Sequence, residues 1–201
     1  MKKLILACWL CLGVRAAYAQ QTEKTNPIIF ADTYVGFAGG RAGGFAVGAG
    51  LNYQVNRHVF ALRYGGAVGL GTGAILMGMM ALPTIRVERE SSEIAAMYGW
   101  RFIKDNRSLS FSLGASHNRH TFYPADDSPE RKYVYLGLPF EVDLKIFKSN
   151  KDRFRILYGL VPIGKPTAFS RSIGFKFFGN VSRNSYAGLG ITFGLGMHKT
   201  Y

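Results

Sequence analysis

Cysteine is almost missing from this chain. The two present, Cys8 and Cys11, sit in an N-terminal segment that reads as a removable leader. The rest therefore offers no thiolate nucleophile, no thiolate metal site and no disulfide scaffold. Long apolar runs are scarce as well: residues 4–14 form one of about half the roughly 20 residues that a membrane-spanning helix needs, so it is an address and not an anchor. Acidic residues are few, 12 against 25 lysines and arginines. No internal repeat, low-complexity tract or linker to a second domain stands out.

The leader follows the secretory order. Lys2 and Lys3 are the basic start, residues 4–14 the apolar region, and Ala17-Tyr18-Ala19 a small-x-small cleavage site. The reading is a signal peptide over 1–19, a mature start at Gln20, a polar, turn-rich lead-in over 20–30 and one domain over 31–201. A lipoprotein, with Cys8 as its acylated first residue, fits worse, because only four residues separate Cys8 from the lysines and the apolar stretch runs past it. Without Lys2, Lys3 and Arg15 the mature chain carries 22 basic and 12 acidic residues, a net of +10. For an exported chain this balance points away from nucleic acid and toward lipopolysaccharide or other acidic envelope material.

The mature 182 residues suit one domain, and 25 glycines with 14% aromatics are rich for a globular enzyme. Beyond the lead-in, the dominant period is two. From 185 to 198, Ala187, Leu189, Ile191, Phe193, Leu195 and Met197 share one face, while the other is nearly bare glycine. A soluble sandwich would need water-binding side chains there, whereas a narrow barrel interior needs small ones. Leu109, Phe111, Leu113 and Ala115 alternate with Ser108, Ser110, Ser112, Gly114 and Ser116. From 133 to 146, Val134, Leu136, Leu138, Phe140, Val142, Leu144 and Ile146 alternate with a set that ends in Glu141, Asp143 and Lys145. That pattern is stable between lipid and a polar lumen.

Further strands are expected at 31–38, 45–55, 58–68, 93–102 and 173–181. The total is an all-β, antiparallel transmembrane β-barrel of eight strands, with ten as the alternative. Asn56-Arg57, residues 104–107 and residues 182–184 are short polar hairpin links. Residues 149–172 read as a long excursion between the sixth and seventh strands that includes some β structure, because single-chain barrels take even strand numbers. With both chain ends on the periplasmic side, residues 39–44, 69–83, 124–131 and 182–184 would face outward. Tyr201 fits the C-terminal aromatic signal read by barrel assembly machinery.

Parity places Asp32, Glu93, Glu141 and Asp143 inside, with Arg63, Arg101, Lys145 and Lys176. Four acids meet four bases, and an isolated charge there would cost several kcal/mol of desolvation, so a paired network is expected. The favoured reading is a structural plug. A selective conduit and a catalytic pair at Glu141 and Asp143 are the alternatives. His117 and His120, with Asp126, Asp127 and Glu130 in the next loop, resemble the rim of a hydrolase, but residues three apart on a strand point to opposite faces. No metal or cofactor site is expected. Gly164-Lys165-Pro166-Thr167 lacks the upstream glycine of a phosphate loop, and Gly69-Leu70-Gly71-Thr72-Gly73 has no βαβ unit around it. Ile75, Leu76, Met77, Met79, Met80 and Leu82 are an apolar segment that either binds a partner or extends the strands beside it.

The chain resembles an uncharacterised family of outer-membrane β-barrel proteins from the Bacteroidetes. The likeness is carried by Leu51-Asn52-Tyr53-Gln54, residues 60–64, Met97-Tyr98-Gly99, Gly137-Leu138-Pro139-Phe140-Glu141, Tyr158-Gly159, Gly164-Lys165-Pro166-Thr167, and Gly174-Phe175-Lys176 through Gly179-Asn180. It covers most of the mature chain and thins between 70 and 89. It implies a barrel fold and an outer-membrane location, and brings no substrate, cofactor or catalytic set. The expected function is non-enzymatic, an envelope-structural or surface-interaction role among outer-membrane lipids. A narrow pore or ligand conduit and an outer-leaflet lipid or protein hydrolase are the rivals.

Overall fold

A computed structural model describes residues 26–77, 80–124, 129–148, 152–156 and 161–200, over 72–85, 152–156 and 161–167 by their backbone alone. The expected leader at 1–19, Met79, Asp126, Asp127 and Tyr201 lie outside the described residues. Alternating apolar and small or polar residues pair as antiparallel strands: β1 (Ile28–Gly40), β2 (Gly44–Val55), β3 (His58–Met77), β4 (Met80–Lys104), β5 (Arg107–Phe122), β6 (Arg131–Phe147), β7 (Asp152–Ile156), β8 (Val161–Thr167), β9 (Phe169–Val181) and β10 (Tyr186–Met197). Eight of them close into a barrel in the order β1-β10-β9-β6-β5-β4-β3-β2, and β7 with β8 makes a separate two-stranded sheet.

The barrel thus has the eight strands expected; within the excursion expected over 149–172, the described residues form the β7–β8 hairpin, whereas 169–172 already belong to barrel strand β9. Two tight turns join strands at the end that holds the chain termini. Val55 faces His58 and Lys104 faces Arg107, leaving two-residue loops whose first residues, Asn56 and Asp105, adopt φ of 55° and 53°. Asn and Asp tolerate that left-handed conformation, and such turns match the twist of the strands they join. The β1–β2, β3–β4, β5–β6 and β9–β10 links lie at the opposite, far end.

One boundary differs substantially. Within 69–83, expected as a loop, residues 69–77 and 80–83 are strand: β3 runs on to Met77 and β4 starts at Met80. A bulge between Gly69 and Leu70 shifts the register so that Gly69 faces Arg89 while Leu70 faces Val87. The residue left over is Glu88 on β4, so the two-residue period is reset on β4, while β3 keeps its alternation through Gly69, Leu70 and Gly71, buried, exposed and buried in turn. The backbone of Ile75, Leu76, Met77, Met80 and Leu82 belongs to this hairpin.

The layering is inverted relative to a water-soluble protein. Outward positions carry the large apolar side chains, with Leu136 78% exposed, Phe37 72%, Phe175 67% and Leu189 66%. The buried inward positions carry Asp32, Arg63, Glu93, Arg101, Glu141, Asp143, Lys145 and Lys176.

Candidate functional site

The inward charges converge because small residues stand beside them. Asp32 lies between Gly50 on β2 and Gly194 on β10, Arg63 between Gly50 and Ala95, Lys145 between Ser108 and Gly174, and Lys176 beside Gly190. Asp143 and Lys176 are directly opposite each other on β6 and β9. Large side chains therefore fill the space that their neighbours leave.

Lys176 is the hub. Its Nζ lies 3.1 Å from Glu141 Oε2, 3.1 Å from Asp143 Oδ2 and 3.9 Å from Asp32 Oδ2. Lys145 joins Asp32 and lies 3.3 Å from Asp143. Arg63 donates to Glu93 at 2.5 Å and to Glu141 at 3.3 Å. Charge-assisted contacts of this kind are among the stronger hydrogen bonds, and burying the charges without them would cost several kcal/mol each.

Arg101 departs from the expected pairing with Glu141 and Asp143. It sits nearer the terminal end and donates to Gln54 Oε1 at 2.9 Å, Ser108 Oγ at 2.9 Å and the His198 carbonyl at 3.0 Å. Its guanidinium also lies over Phe30 at 4.7 Å and Phe147 at 5.5 Å. Neutral oxygens and ring faces, rather than a carboxylate, hold this cation.

Sorting by charge also missed the neutral members. Asn180 donates to Glu93 at 2.6 Å and to Ser116 at 2.6 Å, Tyr186 donates to Glu93 at 2.7 Å, and Asn52 donates to Asp32 at 3.2 Å. The same parity that located the charges puts Asn52 and Asn180 inside, so the signal was present. Tyr34 and Phe178, with ring centroids 4.7 Å apart, pack above the charges toward the far end.

Over this stack, the β1–β2 link folds across the far mouth. Arg89 donates to the Arg41 carbonyl at 3.2 Å and Ser91 to the Ala42 carbonyl at 3.1 Å. Beneath it lies a cavity of about 10 Å³ bordered by Tyr34, Ser91, Glu93, Asn118, Phe178 and Tyr186. That is the lower limit for a single water. It does not provide for a cofactor or an organic substrate.

The other candidates are apart. His117 is exposed and His120 buried, on opposite faces of β5. Residues 164–167 are strand β8 and residues 69–73 are strand β3, so neither forms a loop before a helix. Among the described residues, no group of three or more His, Cys, Asp or Glu is arranged to hold a metal ion.

No protein-family model matches the sequence, and no curated protein matches it. Among solved structures, the chain is similar to the N-terminal β-barrel domain of Pseudomonas aeruginosa OprF, with a TM-score of 0.47 and 14% identity over 84% of this chain and 99% of that one. It is also similar to Neisserial surface protein A, with a TM-score of 0.49 and 14% identity over 87% and 99%. Ail, the attachment invasion locus protein of Yersinia pestis, aligns with a TM-score of 0.45 and 11% identity over 87% of this chain and 99% of its own.

Proposed function

We propose that this chain is an exported, integral outer-membrane barrel whose lumen is a structural plug, and that it serves the envelope without catalysing a reaction. The supporting observation is the inversion of its surfaces. Exposed Leu62, Leu113, Leu138, Leu189 and Phe175 face outward all around a closed sheet that buries eight charged side chains. In water such a belt would drive aggregation, whereas between hydrocarbon and a paired interior both faces are satisfied.

At the terminal end the belt gives way to interface chemistry. Tyr98 packs against Phe60 and Trp100, with ring centroids 5.3 Å and 5.5 Å away, and Arg57 lies over Phe102 at 5.9 Å. Aromatic girdles with basic neighbours mark the headgroup level of such barrels. Barrel assembly machinery and outer-membrane lipids are the partners this reading implies. Membership of the Bacteroidetes family that the sequence resembles belongs to the same proposal.

Cell fractionation tests it. Mature protein is expected in the outer membrane, with different gel migration before and after boiling. Recovery of the full-length chain as a soluble cytosolic monomer would overturn it. In planar bilayers the folded protein is expected to give no stepwise conductance, and steady single-channel currents would favour the conduit.

A further inference from the structure

The outward face near the far end is apolar on most of the barrel: Phe37 on β1, Phe45 on β2, Val181 on β9 and Leu189 on β10 are all exposed. On β5 and β6 it is cationic instead. His117 and Arg119 are exposed on consecutive outward positions of β5, and Lys132 is exposed on the outward face of β6. Register sets their neighbours. Arg119 faces Val134 on β6 and Ser92 on β4, and His117 faces Leu136 and Ile94. Lys132 is one outward step beyond Val134, diagonal to Arg119, which in an antiparallel pair means about 7–8 Å between backbones.

Two features need an explanation. Adjacent like charges on one face oppose each other, yet Arg119 and Lys132 stand on neighbouring strands. They also stand beside Val134 at 60% exposure and Leu136 at 78%, positions that on the membrane reading are covered by acyl chains. Two acids stand nearby on the surface: Glu130 is 3.0 Å from Lys132 in an exposed pair, and Glu90 of β4, diagonal to Arg119, accepts from Tyr123 at 3.3 Å. An exposed ion pair is worth about 0–1 kcal/mol, so Lys132 can exchange it at little cost.

We propose that Arg119 and Lys132, with His117 one row deeper, bind the phosphate of a phosphorylated glycolipid of the outer leaflet, the anchor of lipopolysaccharide, on the outer face of β5 and β6. This rests on the outer-membrane reading. The acyl chains of that lipid lie against Ile94, Val134 and Leu136, and its phosphate then sits at the depth that the two long side chains reach by extending away from the hydrocarbon. Arginine offers a planar fork to phosphate oxygens and lysine a point charge, so the pair brackets one anion.

The test is native mass spectrometry of the folded barrel in micelles containing the phosphorylated glycolipid, the same lipid after dephosphorylation, or phosphatidylglycerol. A one-to-one adduct is expected with the phosphorylated glycolipid. It is expected to weaken at least tenfold with the dephosphorylated lipid and in an Arg119→Ala/Lys132→Ala variant. Arg107→Ala, at the opposite end, is expected to bind as the wild type does. Equal binding of the dephosphorylated lipid, or undiminished binding by the double variant, overturns the site. Phosphatidylglycerol binding as tightly as the glycolipid overturns the assignment to the glycolipid. Boiled and unboiled gel migration of each sample separates the two readings: a folded barrel that fails to discriminate sinks the phosphate site alone, whereas a wild type that never folds in lipid sinks the membrane reading with it.

Discussion

At the scale of single residues, charge in the lumen is governed by what stands next to it. Glu141 receives Arg63 at 3.3 Å and Lys176 at 3.1 Å, so Glu141→Gln leaves two buried cations short of a counter-charge. Breaking a buried pair typically costs about 3–5 kcal/mol, and a loss near the lower figure is expected in urea-induced unfolding from lipid vesicles. Arg101→Met is expected to cost less than half as much in the same assay, because Arg101 leaves only neutral acceptors behind. Equal losses would mean that Arg101 belongs to the ion-pair network after all. Glycines matter for the space they leave. A Cβ at Gly137 would fall 2.1 Å from Asn180 Oδ1 and 2.9 Å from Asn118 Nδ2, whereas one at Gly39 would have its nearest neighbour at 4.0 Å. Gly137→Ala is therefore expected to destabilise by about 1–3 kcal/mol, and Gly39→Ala to stay within about 0.5 kcal/mol.

Among the elements, the hairpin links decide which end is which. The β4–β5 turn at Asp105 and the β9–β10 link at Asn184 lie at opposite ends of the barrel. If the termini are periplasmic, a cysteine at Asn184 is expected to react with an impermeant thiol reagent on whole cells and one at Asp105 to stay unlabelled. Labelling in the opposite sense would reverse the orientation. The β7–β8 hairpin pairs only with itself among the described strands. Replacing residues 149–167 by a short polar turn is accordingly expected to preserve the gel shift of the folded barrel. Loss of that shift would show that the hairpin helps the sheet to close.

For the whole molecule, the consequence of inverted layering is a solvent-dependent cost of charge. Leu113 is 61% exposed and faces Phe140 and Tyr98 on the neighbouring strands. In a soluble protein, lysine at so exposed a position would be nearly neutral, whereas toward the middle of a bilayer it costs about 2–4 kcal/mol. Leu113→Lys is thus expected to lower stability in vesicles by that amount, measured by urea titration against the parent barrel. A silent substitution would place Leu113 away from hydrocarbon.

Much of this architecture follows from the residues alone, for a local reason. Strand parity is a property of adjacent positions, so Val134, Leu136 and Leu138 on one side of β6 and Glu141, Asp143 and Lys145 on the other can be read without knowing any partner strand. One slip would turn every charge toward the apolar face, which makes the register strongly specified. The eight-strand closure rested on a rule rather than on parity: barrels of one chain take even strand numbers, which set the stretch 149–172 apart as an excursion although it holds strand-forming residues. Tertiary structure decided what depends on contacts between distant residues. The bulge that leaves Glu88 of β4 unpaired beside Gly69 and Leu70 exists only in the pairing of β3 with β4, so the sequence left open whether residues 74–82 extend these strands or form a partner loop. Which base meets which acid depends on the shear of the closed sheet and on the small side chains that let others reach across. That is why Lys176, at the centre, binds three carboxylates from β1 and β6, while Arg101, one layer away, is left to Gln54, Ser108 and two aromatic rings.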